Sequence, residues 1–340
     1  MNVLRYIAQR QVEVGDIPRP TITTGEVLVQ THACGICATD VKTYVRGHPL
    51  FPPGTVLGHE ISGVIVESQA AGWQPGDRVV VAPFVPCGEC RYCLRHQWTL
   101  CPDLVKSYVD PGGFSEYVRV PQAIVQQGLL HLPDHVDFLT GSLVEPLACC
   151  YHGFEALNVR SDDTLLIIGD GPMGLMQAMI ARSLGIAQIV MAGLTPPRLT
   201  LGARYAHRVI NVAEQNLHDA VMALSDGAGM DKVFVSVGQV EVAEQAVPLV
   251  RRGGAINFFA GLPSNARVTL DPNRLHYQEI FVSGTFAFAP VHFARALQAL
   301  ASGQLNVTGL ITRTVRLHEI EQAFQDNTQY QGIKSVVVFG

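Results

Sequence analysis

The chain has 340 residues, of which 48% are hydrophobic and 16% charged, and its formal net charge is −5 at pH 7. This length exceeds the size at which one hydrophobic core keeps growing, so two domains are expected. The slight acidity excludes a basic surface for nucleic acid, and no apolar run reaches the ~18 residues of a membrane span. The opening MNVLRYIAQRQVEVGDIP also lacks the apolar core of a signal peptide. The eight cysteines, read as metal ligands and packed thiols, fit a reducing cytoplasm, so a cytoplasmic protein is expected.

Short apolar segments separated by glycine and proline dominate the chain up to about residue 148. EVLVQTHA, SGVIVE and DRVVVAP are examples, and polar and apolar residues alternate along them. Alternation of this kind predicts antiparallel β structure for residues 1–148.

Four potential metal ligands of mixed type lie within this β-rich part. Cys37 belongs to CGICATD, His59 and Glu60 to LGHEISG, and Glu145 to EPLACCYHG. One thiolate, one imidazole and a choice of carboxylates can hold zinc while leaving a position for water or an alcohol oxygen. An open position of this kind is typical of a catalytic zinc site.

A second group consists of cysteines alone, in the segment 84–103. Its spacing is C-x2-C-x2-C-x7-C, formed by Cys87, Cys90, Cys93 and Cys101. Four thiolates complete a tetrahedral zinc site and leave no position for chemistry, so this zinc is predicted to be structural. A disulfide framework is the alternative, and it is disfavoured by the length of the chain and the confinement of these cysteines to one short lobe.

From Thr164 onward the pattern changes to strands that alternate with helices. TLLIIG, QIVMAG, RVINV, DKVFVSVG and AINFFAG read as strands, and PMGLMQAMIARSLG, PRLTLGARYA and VEVAEQAVPLVRRGG read as helices. This alternation predicts a parallel, doubly wound α/β sheet. Further along, VHFARALQALASG is predicted to be helical, while TGLIT and KSVVVFG are predicted strands.

A glycine-rich loop follows the first of these strands and opens a helix. It has the form G-x-G-x-x-G, and its predicted cofactor-binding residues are Gly169, Gly171, Pro172, Met173 and Gly174. In this context the glycines permit the tight turn and the close approach of the backbone to a pyrophosphate, which the helix N-terminus stabilises. The loop therefore predicts NAD or NADP binding.

The end of the second strand departs from the pattern of an NAD-binding domain. An acidic residue is expected there to accept the ribose hydroxyls of NAD, but the position is Gly193. Thr195 and Arg198 follow and could contact the 2′-phosphate of NADP. The sequence thus leaves both cofactors open with a slight preference for NADP, and Gly193 and Arg198 are candidate cofactor-binding residues.

With these motifs assembled, the chain resembles the zinc-dependent medium-chain dehydrogenases, and within them the sorbitol (L-iditol) dehydrogenase-like group. GEVLVQTHACGICATD, LGHEISGVIVE, PGDRVVV, the cysteine lobe, GGFSEYVRVP, EPLACCYHG and IIGDGPMGLM carry the likeness, which covers essentially the whole chain. The resemblance implies a GroES-like catalytic domain (1–148), a Rossmann dinucleotide-binding domain (149–289) and a C-terminal segment (290–340) that returns to the first. It also implies two zinc ions per subunit and a homodimer or homotetramer.

Roles for individual residues follow from the same resemblance. Cys37, His59 and either Glu60 or Glu145 would hold the catalytic zinc, because in the family the two carboxylates can exchange at the metal. Thr39 matches the hydroxyl that bonds the reacting oxygen, and Asp40 matches the acid that orients the zinc histidine. Lys42 stands where many relatives have a proton-relaying histidine, and it is open whether it replaces that histidine, contacts substrate or is solvated.

The expected activity is hydride transfer between NAD(P) and a secondary alcohol of a small, hydroxyl-rich substrate. The polar segment between the metal-binding motifs includes Tyr44, Arg46, His48 and Phe51, which the family places near the pocket mouth. A polyol, a sugar alcohol, an aminocyclitol or a phosphorylated polyol would fit, the last through Lys42 and Arg46. Two other classes are disfavoured: a zinc-free quinone or enone reductase would lack the ligand motifs, and a non-catalytic zinc scaffold would not need an open metal site beside a phosphate loop.

Overall fold

The computed structural model describes residues 1–340 and divides them into two compact units. The first consists of Met1–Ala148 together with Phe288–Gly340, and the second is Cys149–Ala287. No helix combines the length and the apolar composition that a membrane span requires.

Strands and helices alternate along much of the chain. The strands are β1 (Asn2–Ala8), β2 (Gln11–Asp16), β3 (Val27–Gly35), β4 (Glu60–Ser68), β5 (Arg78–Val81), β6 (Tyr117–Val120), β7 (Leu129–His131), β8 (Thr164–Ile168), β9 (Gln188–Gly193), β10 (Arg208–Asn211), β11 (Met230–Val235), β12 (Val250–Phe258), β13 (Phe281–Gly284), β14 (Ile311–Val315) and β15 (Lys334–Val338). The helices are α1 (Ala38–Arg46), α2 (Gln122–Gln127), α3 (Phe138–Gly141), α4 (Val144–Leu157), α5 (Pro172–Ser183), α6 (Pro196–Gly202), α7 (Leu217–Leu224), α8 (Val240–Ala246), α9 (Pro272–Gln278), α10 (Pro290–Ala301) and α11 (Ile320–Thr328).

The first unit is built on a seven-stranded, mainly antiparallel sheet, as its alternating pattern predicts. Its strand order is β14-β15-β3-β4-β5-β7, with β6 also paired to β3, and only β14 and β15 run parallel. Strand β15 pairs with β3 so that Val336 lies opposite Gly35. The last strand of the chain is thereby held next to the segment that leads into Cys37.

The second unit contains a six-stranded parallel sheet of order β10-β9-β8-β11-β12-β13. This is the doubly wound order in which the chain begins at the centre, moves to one edge and then returns to build the other half. Buried side chains cover both faces, with Leu166, Ile168 and Val190 on one and Leu165, Ile167 and Ile189 on the other, as expected for strands covered by helices on both sides. The α/β fold class predicted from the sequence is confirmed.

One predicted helix is shorter than expected. The segment VEVAEQAVPLVRRGG is helical only as far as Ala246, continues as a 3-10 turn over Val247–Leu249, and enters β12 at Val250. Pro248 cannot donate to a continuing helix, and pairing of Val250 with Met230 of β11 draws the following residues into the sheet.

Candidate metal centres and nucleotide-binding loop

The structure brings Cys37, His59 and Glu60 together in the first unit. Their ligand atoms all lie within 4.8 Å of one another. Cys37 immediately precedes α1. His59 immediately precedes β4, whose first residue, Glu60, pairs with Gly35 of β3. Sheet pairing thus closes the distance between two motifs that are 22 residues apart in sequence, from Cys37 to His59.

Asp40 holds the two ligand segments against each other. Its Oδ2 accepts the backbone N–H of Cys37 at 2.9 Å, and its Oδ1 accepts the N–H of Gly58 at 3.3 Å. The same Oδ1 lies 3.5 Å from Nδ1 of His59. A carboxylate on the far nitrogen of a metal-binding histidine fixes the ring and its tautomer, which is the arrangement expected around a zinc ligand.

Glu60 has a buried ionic partner that the sequence motifs do not reveal. Lys334 Nζ donates to Glu60 Oε1 at 2.6 Å and to the carbonyl of Ile36 at 2.9 Å. Lys334 is 3% exposed and Glu60 is fully buried. The other carboxylate oxygen, Oε2, has no hydrogen-bond partner. A buried carboxylate oxygen without a donor fits a metal ligand, because an unsatisfied polar atom is otherwise costly.

The charges around this cluster would favour a bound cation. Burial alone lowers the pKa of His59, but Asp40 and Cys37 outweigh it and raise that pKa well above its usual value. Burial likewise lowers the pKa of Lys334, but Glu60 and Cys37 outweigh burial, so that this pKa lies above its usual value. Both shifts reflect concentrated negative charge, and the donor set of thiolate, imidazole and carboxylate suits zinc.

The remaining residues predicted for this site lie nearby in differing roles. Glu145 is 6% exposed in the first turn of α4 and does not belong to the three-residue cluster, yet its charge raises the pKa of Lys334. Thr39 is half-buried in α1. Lys42 on α1 has a lowered pKa, chiefly because of burial, while Cys37 opposes that shift.

The polar segment 44–51, which begins in the last turn of α1, does not form one uniform surface. Tyr44 is 2% exposed, and its hydroxyl bonds Glu321 Oε1 at 3.1 Å, so it packs against α11. Arg46 is exposed, and the rings of His48 and Phe51 lie 5.3 Å apart. The phenol of Tyr44 is thus committed to the packing of two helices, and its place near a pocket mouth stays a prediction.

Tyr108 is a further residue close to the mixed-ligand cluster. Its removal from water raises the pKa of its phenol, His59 opposes the shift, and Asp40 and Glu145 add to it. Its ring centroid lies 6.4 Å from that of Phe51. No spacing rule connects SYVD with the ligand motifs, so sequence inspection did not single it out.

The four-cysteine lobe is a second compact cluster. The Sγ atoms of Cys87, Cys90, Cys93 and Cys101 all lie within 4.8 Å of one another. Backbone N–H groups point at the sulfurs, from Cys87 to Cys101 Sγ and from Cys90 to Cys87 Sγ, both at 3.4 Å. Such N–H···S bonds stabilise thiolates, and none of the eight cysteines forms a disulfide.

The thiols of this lobe are electrostatically unequal. The pKa of Cys90 falls to about 7, chiefly through the backbone N–H bond at Cys93. Burial and the neighbouring Cys90 raise the pKa of Cys93 to about 12. A bound cation would favour the thiolate form of all four cysteines, and the set fits a zinc ion with only sulfur ligands.

In the second unit the glycine-rich loop lies between β8 and α5, as the motif predicts. Gly169 has φ of 130°, which favours glycine, and a Cβ on Gly174 would lie 1.9 Å from the carbonyl oxygen of Gly169. Pro172 and Met173 open α5, with Gly171 at its N-cap. Backbone N–H groups at this helix start are suited to a pyrophosphate.

The end of β9 is occupied by a carboxylate from that loop. Asp170 Oδ2 accepts the N–H groups of Leu194 and Thr195 at 3.0 and 2.6 Å. Arg198 lies in α6 and is only 6% exposed, so it is not part of a solvated helix start. Position 193 has no acid, as the sequence shows, but the carboxylate of Asp170 reaches this strand end from the neighbouring loop.

Known families and relatives match nearly the whole chain. The family model for the alcohol dehydrogenase GroES-like domain matches residues 23–134, and that for zinc-binding dehydrogenases matches residues 172–302. Sorbitol dehydrogenase of Bacillus subtilis is 29% identical over 95% of this chain and 92% of its own length. D-arabitol-phosphate dehydrogenase of Enterococcus avium is 32% identical, with the same two coverages.

A solved structure adds to these relatives. A protein of Sinorhizobium meliloti described as a zinc-binding dehydrogenase, crystallised with NADP, superposes with a TM-score of 0.89. It is 27% identical and covers 99% of each chain.

Proposed function

The chain belongs to the zinc-dependent medium-chain dehydrogenases of the sorbitol dehydrogenase-like group, and from this we propose that it oxidises a secondary alcohol of a polyol with NAD(P) or catalyses the reverse reduction. One observation carries the proposal: the ligand atoms of Cys37, His59 and Glu60 lie within 4.8 Å of one another, and Oε2 of the buried Glu60 has no hydrogen-bond donor. The same chain provides the phosphate loop that starts at Gly169. Relatives named as sorbitol and arabitol-phosphate dehydrogenases support the polyol class.

We assign the catalytic metal to Cys37, His59 and Glu60. When bound, zinc would supply Lewis-acid polarisation of the substrate hydroxyl, and the nicotinamide would accept the hydride. Asp40 orients His59, and Lys334 holds Oε1 of Glu60, which leaves Oε2 as the carboxylate oxygen without a hydrogen-bond donor. Glu145 is proposed as the exchange partner of Glu60 or the anchor of a water molecule, because it adds negative charge close by.

We propose that side chains of α1 remove the proton from the substrate hydroxyl. Thr39 stands two residues after Cys37 in the first turn of this helix, and we propose that its hydroxyl bonds the reacting oxygen. Lys42 lies one helical turn further on, and its lowered pKa makes it a better proton acceptor than a solvated lysine. These two residues form a short route along one helix face from the substrate oxygen outward.

A structural zinc is proposed for Cys87, Cys90, Cys93 and Cys101. Together with the catalytic site this makes two zinc ions per subunit. Because none of the eight cysteines forms a disulfide, as is usual for metal-binding and buried cysteines of a reducing compartment, we also place the protein in the cytoplasm.

We propose a homo-oligomer formed through the free edge of the parallel sheet. Strand β13 is the last strand of that sheet, and Phe281 on it is 61% exposed. Tyr277 and Phe286 nearby are 75% and 62% exposed. Unpaired backbone groups and large apolar side chains at one edge are suited to pairing with a second copy of the chain.

The test is metal analysis combined with a substrate screen. Purified protein should contain two zinc ions per chain and should produce reduced nicotinamide with sugar alcohols. The panel includes inositols, amino-polyols and phosphorylated polyols, each with NAD and NADP. Zinc-loaded protein that binds nucleotide but oxidises none of these alcohols and reduces none of the corresponding ketoses would refute the polyol assignment.

A further inference from the structure

We propose that Asp170 selects the cofactor and favours NAD over NADP, by placing its carboxylate at the strand end where the adenosine ribose binds. The inference rests on the proposed function, because it presupposes a nicotinamide dinucleotide at the glycine-rich loop. It names a specificity-determining residue outside the position where an acid is expected.

The side chain of Asp170 fills the place of a strand-end acid. A Cβ atom on Gly193 would lie 2.5 Å from both Cβ and Cγ of Asp170. Asp170 is 9% exposed, and its Oδ2 is held by the N–H groups of Leu194 and Thr195. The carboxylate and a side chain at position 193 therefore exclude each other, and the protein has the former.

The location relative to the cofactor follows from the topology. In a doubly wound sheet the pyrophosphate lies at the loop after the first strand, and the adenosine ribose lies at the end of the second. Here these strands are β8 and β9, paired in parallel with Ile168 opposite Ala192. Gly169 N–H also donates to the carbonyl of Ala192 at 2.8 Å, so the loop and the strand end adjoin. A residue in the loop can thus serve the ribose site.

Two effects of this carboxylate disfavour NADP. Its negative charge repels a 2′-phosphate, whereas a 2′-hydroxyl can donate to Oδ1, which receives neither of the two backbone bonds. The N–H groups of Leu194 and Thr195 would be natural donors to a phosphate, and Asp170 already uses both. A 2′-phosphate would therefore have to displace an anion that belongs to the protein.

The experiment measures the dissociation constants of NADH and NADPH without any alcohol substrate, together with the ratio of kcat/KM for NAD and NADP. Wild-type protein should bind NADH more tightly. Asp170→Asn keeps the shape and the acceptor oxygen but removes the charge, and it should move both ratios toward NADP by about tenfold or more, as expected for loss of a charge-assisted bond.

Asp163→Asn is the matched control at the opposite end of β8. Asp163 is 8% exposed and accepts the backbone N–H of Arg160 at 2.7 Å, so the substitution removes the same kind of buried, amide-bound charge. It should lower stability without changing the nucleotide ratio. If Asp170→Asn and Asp163→Asn change the NADH-to-NADPH ratio equally, Asp170 has only a structural role.

A double variant keeps the test valid if Asp170→Asn does not fold. Asp170→Gly combined with Gly193→Asp moves the acid to the strand and relieves the contact at 2.5 Å, so NAD preference should return relative to Asp170→Gly alone. Tighter binding of NADPH than of NADH by the wild type, the result expected if Arg198 dominated, would overturn the proposal. If neither nucleotide binds, the proposed dehydrogenase function fails together with it, whereas nucleotide binding without alcohol oxidation affects only the substrate class.

Discussion

Glu60 binds Lys334 through Oε1, its Oε2 has no hydrogen-bond donor, and its ligand atom lies within 4.8 Å of those of Cys37 and His59. Lys334 supplies a positive charge beside this carboxylate in an interior where water does not reach the pair. The pair therefore links the stability of the first unit to the metal affinity of its site.

Lys334→Met should weaken zinc binding about 10- to 100-fold, the usual effect of losing a residue that supports a ligand. It leaves a buried carboxylate unpaired, so the free energy of unfolding should also fall by about 3–5 kcal/mol. Chelator competition measures the first effect and denaturant titration the second. Lys334→Arg retains the charge and should restore most of the metal affinity; a Met variant with wild-type zinc affinity would contradict this role.

Cys37→Ala should abolish alcohol oxidation without unfolding the protein. The substitution removes one ligand from an open site, whereas packing around Cys37, which is only half-buried, changes little. Turnover, circular dichroism and zinc content report the outcome, with one zinc retained per chain. Residual activity above about one per cent of wild type would exclude Cys37 as an essential ligand.

At the scale of elements, the cysteine lobe has only short 3-10 turns, Cys93–Arg95 and Trp98–Leu100, and no strand of its own. Its conformation therefore depends on the proposed structural zinc, whose binding energy becomes folding energy.

Cys93→Ser should lower the midpoint of thermal unfolding and release one zinc ion. Oxygen is a poorer partner for zinc than thiolate sulfur, and Cys93 is among the most buried ligands of the lobe at 4% exposure. Differential scanning calorimetry with metal analysis provides the check, and the exposed Arg95→Ala in the same turn is the control. An unchanged midpoint with two zinc ions retained would show that the lobe does not need this thiolate.

Asp231 joins three strands of the parallel sheet. It stands on β11, accepts the backbone N–H and the hydroxyl of Thr164 at the start of β8 at 2.8 and 2.6 Å, and pairs with Arg251 on β12. Burial would raise its pKa, but the Thr164 bonds and Arg251 outweigh this and lower it.

The lowered pKa of Asp231 predicts a defined pH dependence. Because its folded pKa lies below the unfolded value of about 3.9, its contribution to stability is present above that value and is lost as pH falls through the folded pKa. Asp231→Asn should reduce the free energy of unfolding by about 1–3 kcal/mol at pH 7 and flatten its decline below about pH 5. Denaturant titrations from pH 7 to pH 3 test both points; identical slopes in the two proteins would contradict the assignment.

For the whole molecule, the exposed edge at β13 makes assembly testable. Phe281→Glu places a charge on this strand and should shift the protein to a monomer that still binds nucleotide. Light scattering coupled to size exclusion measures the mass. Val14→Glu, at a 39% exposed position of the other unit, is the control and should leave the mass unchanged. If the Phe281 variant keeps the wild-type mass, the subunit interface does not lie at β13.

Sequence alone was sufficient for the family and the fold class, because their signals are local. The spacing of the four cysteines, the motif around Gly169 and the change from alternating segments to strand-helix repeats each depend on neighbouring residues. Such features follow from turn geometry and side-chain periodicity, which a linear pattern records directly.

Only the tertiary structure decided which distant residues complete the sites. Lys334 meets Glu60 across 274 positions because β15 pairs with β3, and Asp170 reaches Leu194 because the parallel register of β8 and β9 places the loop against the strand end. Strand register depends on the packing of whole sheets. The residues next to a lysine or an aspartate in the sequence therefore do not reveal which strand will lie beside it.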